Sequence, residues 1–186
     1  MAKTADTKVP ATGPPSLPQG TSTLTLGKTV ATVIKGPKST TLKLVRVIKA
    51  PPARIYAAFL DPDAMAKWLP PHGFTGRVHS IDARVGGSYK MSFSTINKSF
   101  SHSFGGVYKE LVPNKRIVHT DKFDDDAIMG SSEMLTTIDL KAVPGGTEIT
   151  VLQENIPAGP ASEGSPYGWS QSFDNLANLC EADLPF

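Results

Sequence analysis

Two ionisable side chains, His119 and Asp121, lie two residues apart in a segment rich in β-branched residues. Since alternate residues of a strand point to the same side, both belong to one strand face. Turned inward, they could anchor a ligand or form an acid–base pair, whereas a solvated strand face is the more ordinary arrangement. Glu133 and Glu154 pose the same choice: a carboxylate in an apolar cavity has a raised pKa and can transfer protons, but exposure is its default.

The sequence contains none of the familiar motifs for metal, nucleophilic or nucleotide chemistry. Its four histidines form no HxH or HExxH spacing, so we expect no metal site. A G-x-S-x-G elbow, a G-x-x-x-x-G-K-[ST] loop and a G-x-G-x-x-G turn after a strand are all missing. The sequence therefore predicts no cofactor and designates no catalytic residues.

The charge distribution argues against nucleic acid as a partner. The 186 residues carry a net charge of +2, but residues 1–40 alone hold five Lys and one Asp, so the remainder is slightly acidic. It shows no basic stripe of the kind that binds phosphate backbones. The single cysteine, Cys180, excludes an intramolecular disulfide. No run approaches the ~18–20 apolar residues of a membrane span, and no secretory leader is visible, so we expect a cytoplasmic protein.

The first 40 residues differ in composition from the rest of the chain. Residues 1–22 are rich in Pro, Thr, Ser and Gly and predict a flexible tail. Residues 23–34 are β-branched and partly alternating, which is compatible with a short strand or hairpin, or with a mobile arm. We therefore expect a tail over residues 1–40 and one domain over residues 41–186.

The domain reads as a strand, two short helices, six strands and a long helix. The first strand, Thr41–Lys49, is followed by helices over Ala53–Leu60 and Pro62–Leu69, with Asp61 as the cap of the second. Short turns rich in Gly, Pro and Asn then connect antiparallel neighbours. The six predicted strands are Thr75–Asp82, Ser88–Ser94, Ser101–Leu111, Arg116–Lys122, Ser132–Ala142 and Thr147–Glu154.

The last element predicts the fold class. After a Pro/Gly/Ser loop over residues 157–165, apolar residues recur at three- and four-residue spacing from about Pro166 to Ala182. A helix with one wide apolar face must cover the sheet, and a twisted antiparallel sheet curls readily around it. We predict an α+β fold, β-α-α-β6-α, in which a curved antiparallel sheet wraps a long C-terminal helix and leaves a pocket between them.

Six segments of the chain match, in order, the sequence motifs of one known family. They are Ile48–Pro52 with Ile55–Phe59, Asp61–Leu69, Asp82–Gly87, Gly106–Tyr108 with Val112–Thr120, Gly145–Thr150, and Gly168–Trp169 with Phe173, Leu176 and Leu179. On these segments the chain resembles the START-like helix-grip superfamily, and within it small single-domain members of the family named after the activator of the heat-shock-protein 90 ATPase. The likeness spans about residues 41–182.

The resemblance implies three kinds of function. The first is binding of a small apolar molecule, lipid-like or aromatic, between the sheet and the final helix. The second is a chaperone partner whose ATPase the protein would activate, and the third, less favoured, is a cyclase- or hydrolase-like enzyme. A monomer or a homodimer fits all three. The expected cavity residues are Trp68, Met91, Phe93, Phe104, His119, Glu133, Trp169 and Phe173.

Overall fold

The computed structural model describes residues 20–126 and 132–182. Within them, nine strands form one antiparallel sheet in the order β1-β2-β3-β9-β8-β7-β6-β5-β4, and three helices complete the fold. The predicted α+β helix-grip fold is confirmed. The strands are β1 Thr21–Leu26, β2 Thr29–Lys35, β3 Ser39–Ile48, β4 Phe74–Ile81, β5 Ser88–Thr95, β6 Ser101–Val112, β7 Arg116–Phe123, β8 Met134–Val143 and β9 Gly146–Pro157; the helices are α1 Pro52–Leu60, α2 Pro62–Trp68 and α3 Pro160–Cys180.

The sheet includes a hairpin over part of the first 40 residues, one of the alternatives that the sequence left open for residues 23–34. Strands β1 and β2 form a hairpin that pairs with β3, so the expected boundary at residue 41 falls inside β3. The pairing is favourable because Ala31 and Val33 of β2 are buried against the core. A turn at Gly27, with φ of 59°, joins the two strands. Most of the tail predicted over residues 1–22 lies outside the described residues.

Helix α3 crosses the inner face of the sheet and packs against α1, α2 and strands β2, β3 and β9. It begins at Pro160, six residues before the predicted start, in place of part of the expected loop. Pro at the first helical position needs no N–H partner, and the Ser162 hydroxyl donates a hydrogen bond to the Gly159 carbonyl at 2.8 Å. The predicted apolar face is confirmed, since Phe173, Leu176 and Cys180 are buried.

The two short helices fix the position of Trp68. The Asp61 carboxylate accepts a hydrogen bond from the Ala64 N–H at 2.8 Å, so the predicted cap of α2 is confirmed. The indole N–H of Trp68 donates to the Ala58 carbonyl at 2.8 Å. Its ring meets Phe59 edge to face, with centroids 4.6 Å apart. Trp68 is therefore held by both helices where they face the sheet.

Gly106 of β6 lies directly against the backbone of Thr120 on β7. A Cβ atom built on Gly106 would stand 1.7 Å from the Thr120 carbonyl oxygen, which is backbone and has little room to shift. We expect Gly106→Ala to destabilise the fold by about 1–3 kcal/mol, the usual cost of overpacking. The matched control is Gly164→Ala on α3, where a Cβ meets nothing within 4 Å. Equal unfolding midpoints in urea for the two variants would contradict this expectation.

Candidate functional site

A cavity of about 610 Å³ lies between the sheet and helices α2 and α3. Aromatic side chains dominate its wall, and strands β5 to β9 supply the floor. No lysine or arginine of the described residues contributes to it. The aromatic and polar side chains of the wall that bear on function are Trp68, Tyr89, Phe93, His102, Phe104, Tyr108, His119, Asp121, Phe123, Gln153 and Trp169.

One part of the cavity is an aromatic cluster centred on His102. The His102 ring lies 5.4 Å from the rings of both Phe93 and Phe123, and Phe93 meets Phe104 edge to face at 4.9 Å. Burial lowers the pKa of His102, because no charged group offsets the lost hydration. Its Nδ1 atom is buried and has no hydrogen-bond partner among the described residues. This part of the wall is therefore uncharged near neutral pH.

A second part of the wall is polar and centred on Asp121. The buried Asp121 carboxylate accepts hydrogen bonds from the hydroxyls of Tyr89 and Thr136, the latter at 2.6 Å. The Nδ1 atom of His119 lies 3.4 Å from the same carboxylate and 3.2 Å from the Thr120 carbonyl oxygen. Three donors on three strands thus converge on one carboxylate, which is the arrangement that allows a charge to be buried.

The pKa values of this cluster reflect that convergence. Burial alone would raise the pKa of Asp121, but His119 and the hydrogen bonds from Thr136 and Tyr89 lower it below the ordinary value. Burial alone would lower the pKa of His119, but the charge and hydrogen bond of Asp121 raise it. Burial, followed by the charge of Asp121, raises the pKa of Tyr89. Asp121 is therefore ionised at neutral pH, while Tyr89 keeps its proton.

The polar cluster continues across the sheet to α3. The Trp169 indole N–H donates to the Gln153 amide oxygen at 3.2 Å, and the Gln153 amide nitrogen donates to the Thr136 hydroxyl at 3.3 Å. Because the Thr136 hydroxyl in turn donates to Asp121, the donors run in one direction and end on the carboxylate. The chain ties the final helix to the interior of the sheet through buried polar groups.

Comparison with known proteins identifies the fold family. The sequence model of the family "Activator of Hsp90 ATPase homolog 1-like protein" matches residues 49–181, more than two thirds of the chain. The chain belongs to this family. Ligand binding or activation of a partner is the general kind of function that the family and its START-like fold support. No protein of curated function matches the chain.

Solved structures agree with the family. A Chromobacterium violaceum protein is 49% identical, with a TM-score of 0.73, over 77% of this chain and 98% of that one. A Rhizobium leguminosarum protein is 28% identical, with a TM-score of 0.59, over 77% and 95%. The AHSA1-like protein from Aeromonas hydrophila, at 18% identity, a TM-score of 0.59 and coverage of 76% and 92%, shares the fold. None of the helices in residues 20–126 and 132–182 has the length and apolarity to cross a membrane.

Five of the eight expected cavity residues lie together in the wall of the cavity. They are Trp68, Phe93, Phe104, His119 and Trp169. Met91 and Phe173 are fully buried in the core but do not reach the cavity. Glu133 does not belong to the site: it is exposed, because the next residue, Met134, begins β8 with its side chain buried. Glu154 also lies off the cavity wall.

Four polar residues of the site, Tyr89, His102, Tyr108 and Gln153, were not predicted from the sequence. Tyr89 precedes Met91 by two residues, and Gln153 follows Val151 by two, so strand alternation alone places both on inward faces. His102 and Tyr108 lie two and four residues from the expected cavity residue Phe104, on the same face of β6. The two-residue period of the strands is the sequence signal that identifies these polar residues as well as the apolar ones. His119 and Asp121 face inward, contrary to the solvated strand face that is more ordinary for such a pair.

Proposed function

We propose that the protein binds a small, mainly apolar molecule that carries at least one polar group. The observation that carries this proposal is the cavity of about 610 Å³, whose wall combines an aromatic cluster with one polar cluster. Ligand sites in proteins are typically concave, about 300–1,000 Å³ in volume, mostly apolar, and equipped with a few polar groups that orient the ligand. The cavity has each of these properties.

The two parts of the wall have different tasks in this proposal. The aromatic cluster around His102 would receive the apolar body of the ligand, with each Å² of apolar surface removed from water contributing about 25 cal/mol. The polar cluster would orient the ligand through His119 and Tyr108, whose rings both face the cavity. The absence of a lysine or arginine from the described wall favours a neutral polar group, such as a carbonyl or hydroxyl, over a carboxylate.

The direct test is a screen of the full chain against a library of lipids and aromatic polyketide-like compounds by native mass spectrometry. We expect retained ligands with an apolar body and one or two oxygen atoms. Intrinsic fluorescence provides a second readout, since Trp169 and Trp68 line the cavity. If no compound is retained and none perturbs the tryptophan emission, the proposal fails.

Activation of a chaperone ATPase is the second candidate function, and the match to the family model over residues 49–181 is what favours it. A chaperone would be recognised by the outer surface of the domain, so this function does not require the cavity. Steady-state ATPase assays with an Hsp90-type chaperone separate the two functions. Stimulation that is unchanged in a variant with a blocked cavity would support the activator, and no stimulation at excess protein would reject it.

A further inference from the structure

The imidazole of His119 has one nitrogen engaged and one nitrogen available. Its Nδ1 atom lies 3.2 Å from the Thr120 carbonyl oxygen and 3.4 Å from the Asp121 carboxylate, and both are acceptors. The Tyr89 hydroxyl is also 3.4 Å from Nδ1, but it donates its proton to Asp121. We therefore assign the proton of the neutral ring to Nδ1, which leaves Nε2 with a free lone pair. No described residue forms a hydrogen bond with Nε2, and the ring is part of the cavity wall. A ligand atom can reach a base at this point.

Tyr108 offers a donor beside that base. Its ring centroid is 6.1 Å from that of His119, and the side chain is buried in the cavity wall. The neighbouring Tyr89 uses its hydroxyl on Asp121, whereas the Tyr108 hydroxyl has no hydrogen-bond partner among the described residues. Burial, followed by the charge of Asp121, raises the pKa of Tyr108, so the phenol keeps its proton and remains a donor.

Other kinds of chemistry find little support in the same wall. The Ser172 hydroxyl donates its proton to backbone carbonyls, and the Ser165 hydroxyl donates to Gln153 at 3.4 Å. Neither hydroxyl is hydrogen-bonded to a histidine of the described residues, so neither serine is activated as a nucleophile. The free thiol of Cys180 is not part of the wall. A base with an adjacent neutral donor, in an apolar enclosure, suits proton transfer to and from carbon.

We propose that the cavity is a catalytic site for keto–enol tautomerisation or a related isomerisation of an apolar ketone. The proposal rests on ligand binding in the cavity. His119 Nε2 takes a proton from the carbon next to the carbonyl group, so that a C–H bond breaks and an N–H bond forms. The electron pair moves to the carbonyl oxygen, and this enolate oxygen accepts a hydrogen bond from Tyr108. His119 then returns the proton to carbon or oxygen, and no co-reactant is consumed.

Asp121 is a positioning residue in this scheme. It holds the Nδ1 side of the imidazole and compensates the positive charge that His119 gains when it takes the proton. The ionisable groups that face His119 are Tyr89 from β5, Tyr108 from β6 and Asp121 on its own strand; His102 is the other ionisable group of the described wall. Both tyrosines stay neutral, so the carboxylate is the group that sets the charge around the base.

The test uses 2-tetralone, a ring-fused benzylic ketone with acidic C–H groups between the aromatic ring and the carbonyl, and the full chain in D₂O. Binding is followed by tryptophan fluorescence, and exchange of the C–H protons for deuterium is followed by proton NMR. We expect the native protein to accelerate exchange, His119→Gln to lose about 100-fold or more of that acceleration, and Tyr108→Phe to lose a smaller part. His79→Gln is the matched control, because His79 is exposed and bonded to Ser92 outside the cavity.

The outcomes separate catalysis from binding. If 2-tetralone binds but the native protein exchanges its protons no faster than His119→Gln, the catalytic proposal is overturned and ligand binding stands. If 2-tetralone does not bind, the site rejects this apolar ketone and the catalytic proposal is again overturned, while the library screen decides binding on its own. Exchange that is lost in His119→Gln with unchanged binding supports the proposal.

The role of Asp121 has its own signature in the pH profile. Only neutral His119 can accept a proton, so exchange should rise with pH through the raised pKa of His119, above its ordinary value of 6.5. In Asp121→Asn the charge that raises this pKa is gone, and the midpoint should move to lower pH. A variant that only lost folded protein would show a smaller amplitude with the midpoint unchanged, and that result would refute the positioning role.

Discussion

The Gly168→Trp substitution is expected to abolish ligand binding and to leave the fold intact. Gly168 lies on α3 at the wall of the cavity, and a Cβ atom built on it meets nothing within 4 Å. An indole at this position therefore enters open space and occupies volume that the ligand needs. A loss of about 1.4 kcal/mol of binding free energy corresponds to a tenfold weaker Kd. We expect the loss of affinity in Gly168→Trp to be larger than tenfold, because the indole fills the cavity.

The matched control is Gly168→Ala, which adds a single methyl group at the same position. Glycine is about 1 kcal/mol less favourable than alanine inside a helix, so Gly168→Ala should raise the unfolding free energy slightly and keep ligand affinity. Titration of each variant with the best ligand from the screen, together with thermal unfolding, compares the two. Native affinity in a folded Gly168→Trp variant would mean that the ligand binds elsewhere.

Asp121→Asn is expected to destabilise the protein by about 3 kcal/mol, because it removes one partner from a buried charged cluster. The asparagine amide group would present N–H donors to a site where the hydroxyls of Tyr89 and Thr136 already donate. For a chain of this size, such a loss lowers the melting temperature by roughly 10 °C. The exposed residue Asp63 of α2 provides a comparison by Asp63→Asn, which should shift the melting temperature little.

The pH dependence of stability follows from the same pair. The pKa of Asp121 is lower in the folded state, so its contribution is present above the ordinary carboxyl pKa of 3.8 and is lost as the pH falls through the lowered folded value. The pKa of His119 is higher in the folded state, so its contribution is present below 6.5 and is lost as the pH rises through the raised folded value.

The expected consequence is a stability maximum in mildly acidic solution that Asp121→Asn flattens on both sides. Urea unfolding at about pH 3, 5.5 and 8.5 measures it. If the unfolding free energies of the native protein and of Asp121→Asn change equally with pH, the assigned coupling between Asp121 and His119 is contradicted. The measurement needs no ligand, so it tests the polar cluster independently of the proposed function.

Local sequence signals predicted most of the elements. Pro52 and Pro62 at first helical positions, with Asp61 as a cap, gave both short helices to within a residue. Turn residues between alternating segments gave the six strands after α2, because connections of a few residues leave only antiparallel pairing with the next strand. The apolar face of α3 was readable from its three- and four-residue spacing. Each of these signals depends on residues close together in the chain.

The sequence left the hairpin of β1 and β2 open as one alternative, and it placed the start of α3 six residues too late. The hairpin of β1 and β2 is stabilised because β2 pairs with the edge of β3 and because Ala31 and Val33 are buried in the core. The first turns of α3 carry few apolar residues, and their helical state depends on the cap at Gly159 with Ser162. In the sequence alone, the pairing with β3 and the cap at Gly159 are weaker indications than the Pro, Gly and Ser content that is typical of loops and tails.

By itself, the sequence determined that His119 and Asp121 share a strand face and that a curved sheet must cover an apolar helix. Only the tertiary structure decided that this face is the inner one. Strand alternation fixes which side chains point to the same side of the sheet. Which side is buried depends on hydrogen-bond donors from other strands, here Tyr89 and Thr136, because they offset the desolvation cost of the buried carboxylate. Those partners lie 32 and 15 residues away from Asp121 in the chain, and folding alone brings them to it.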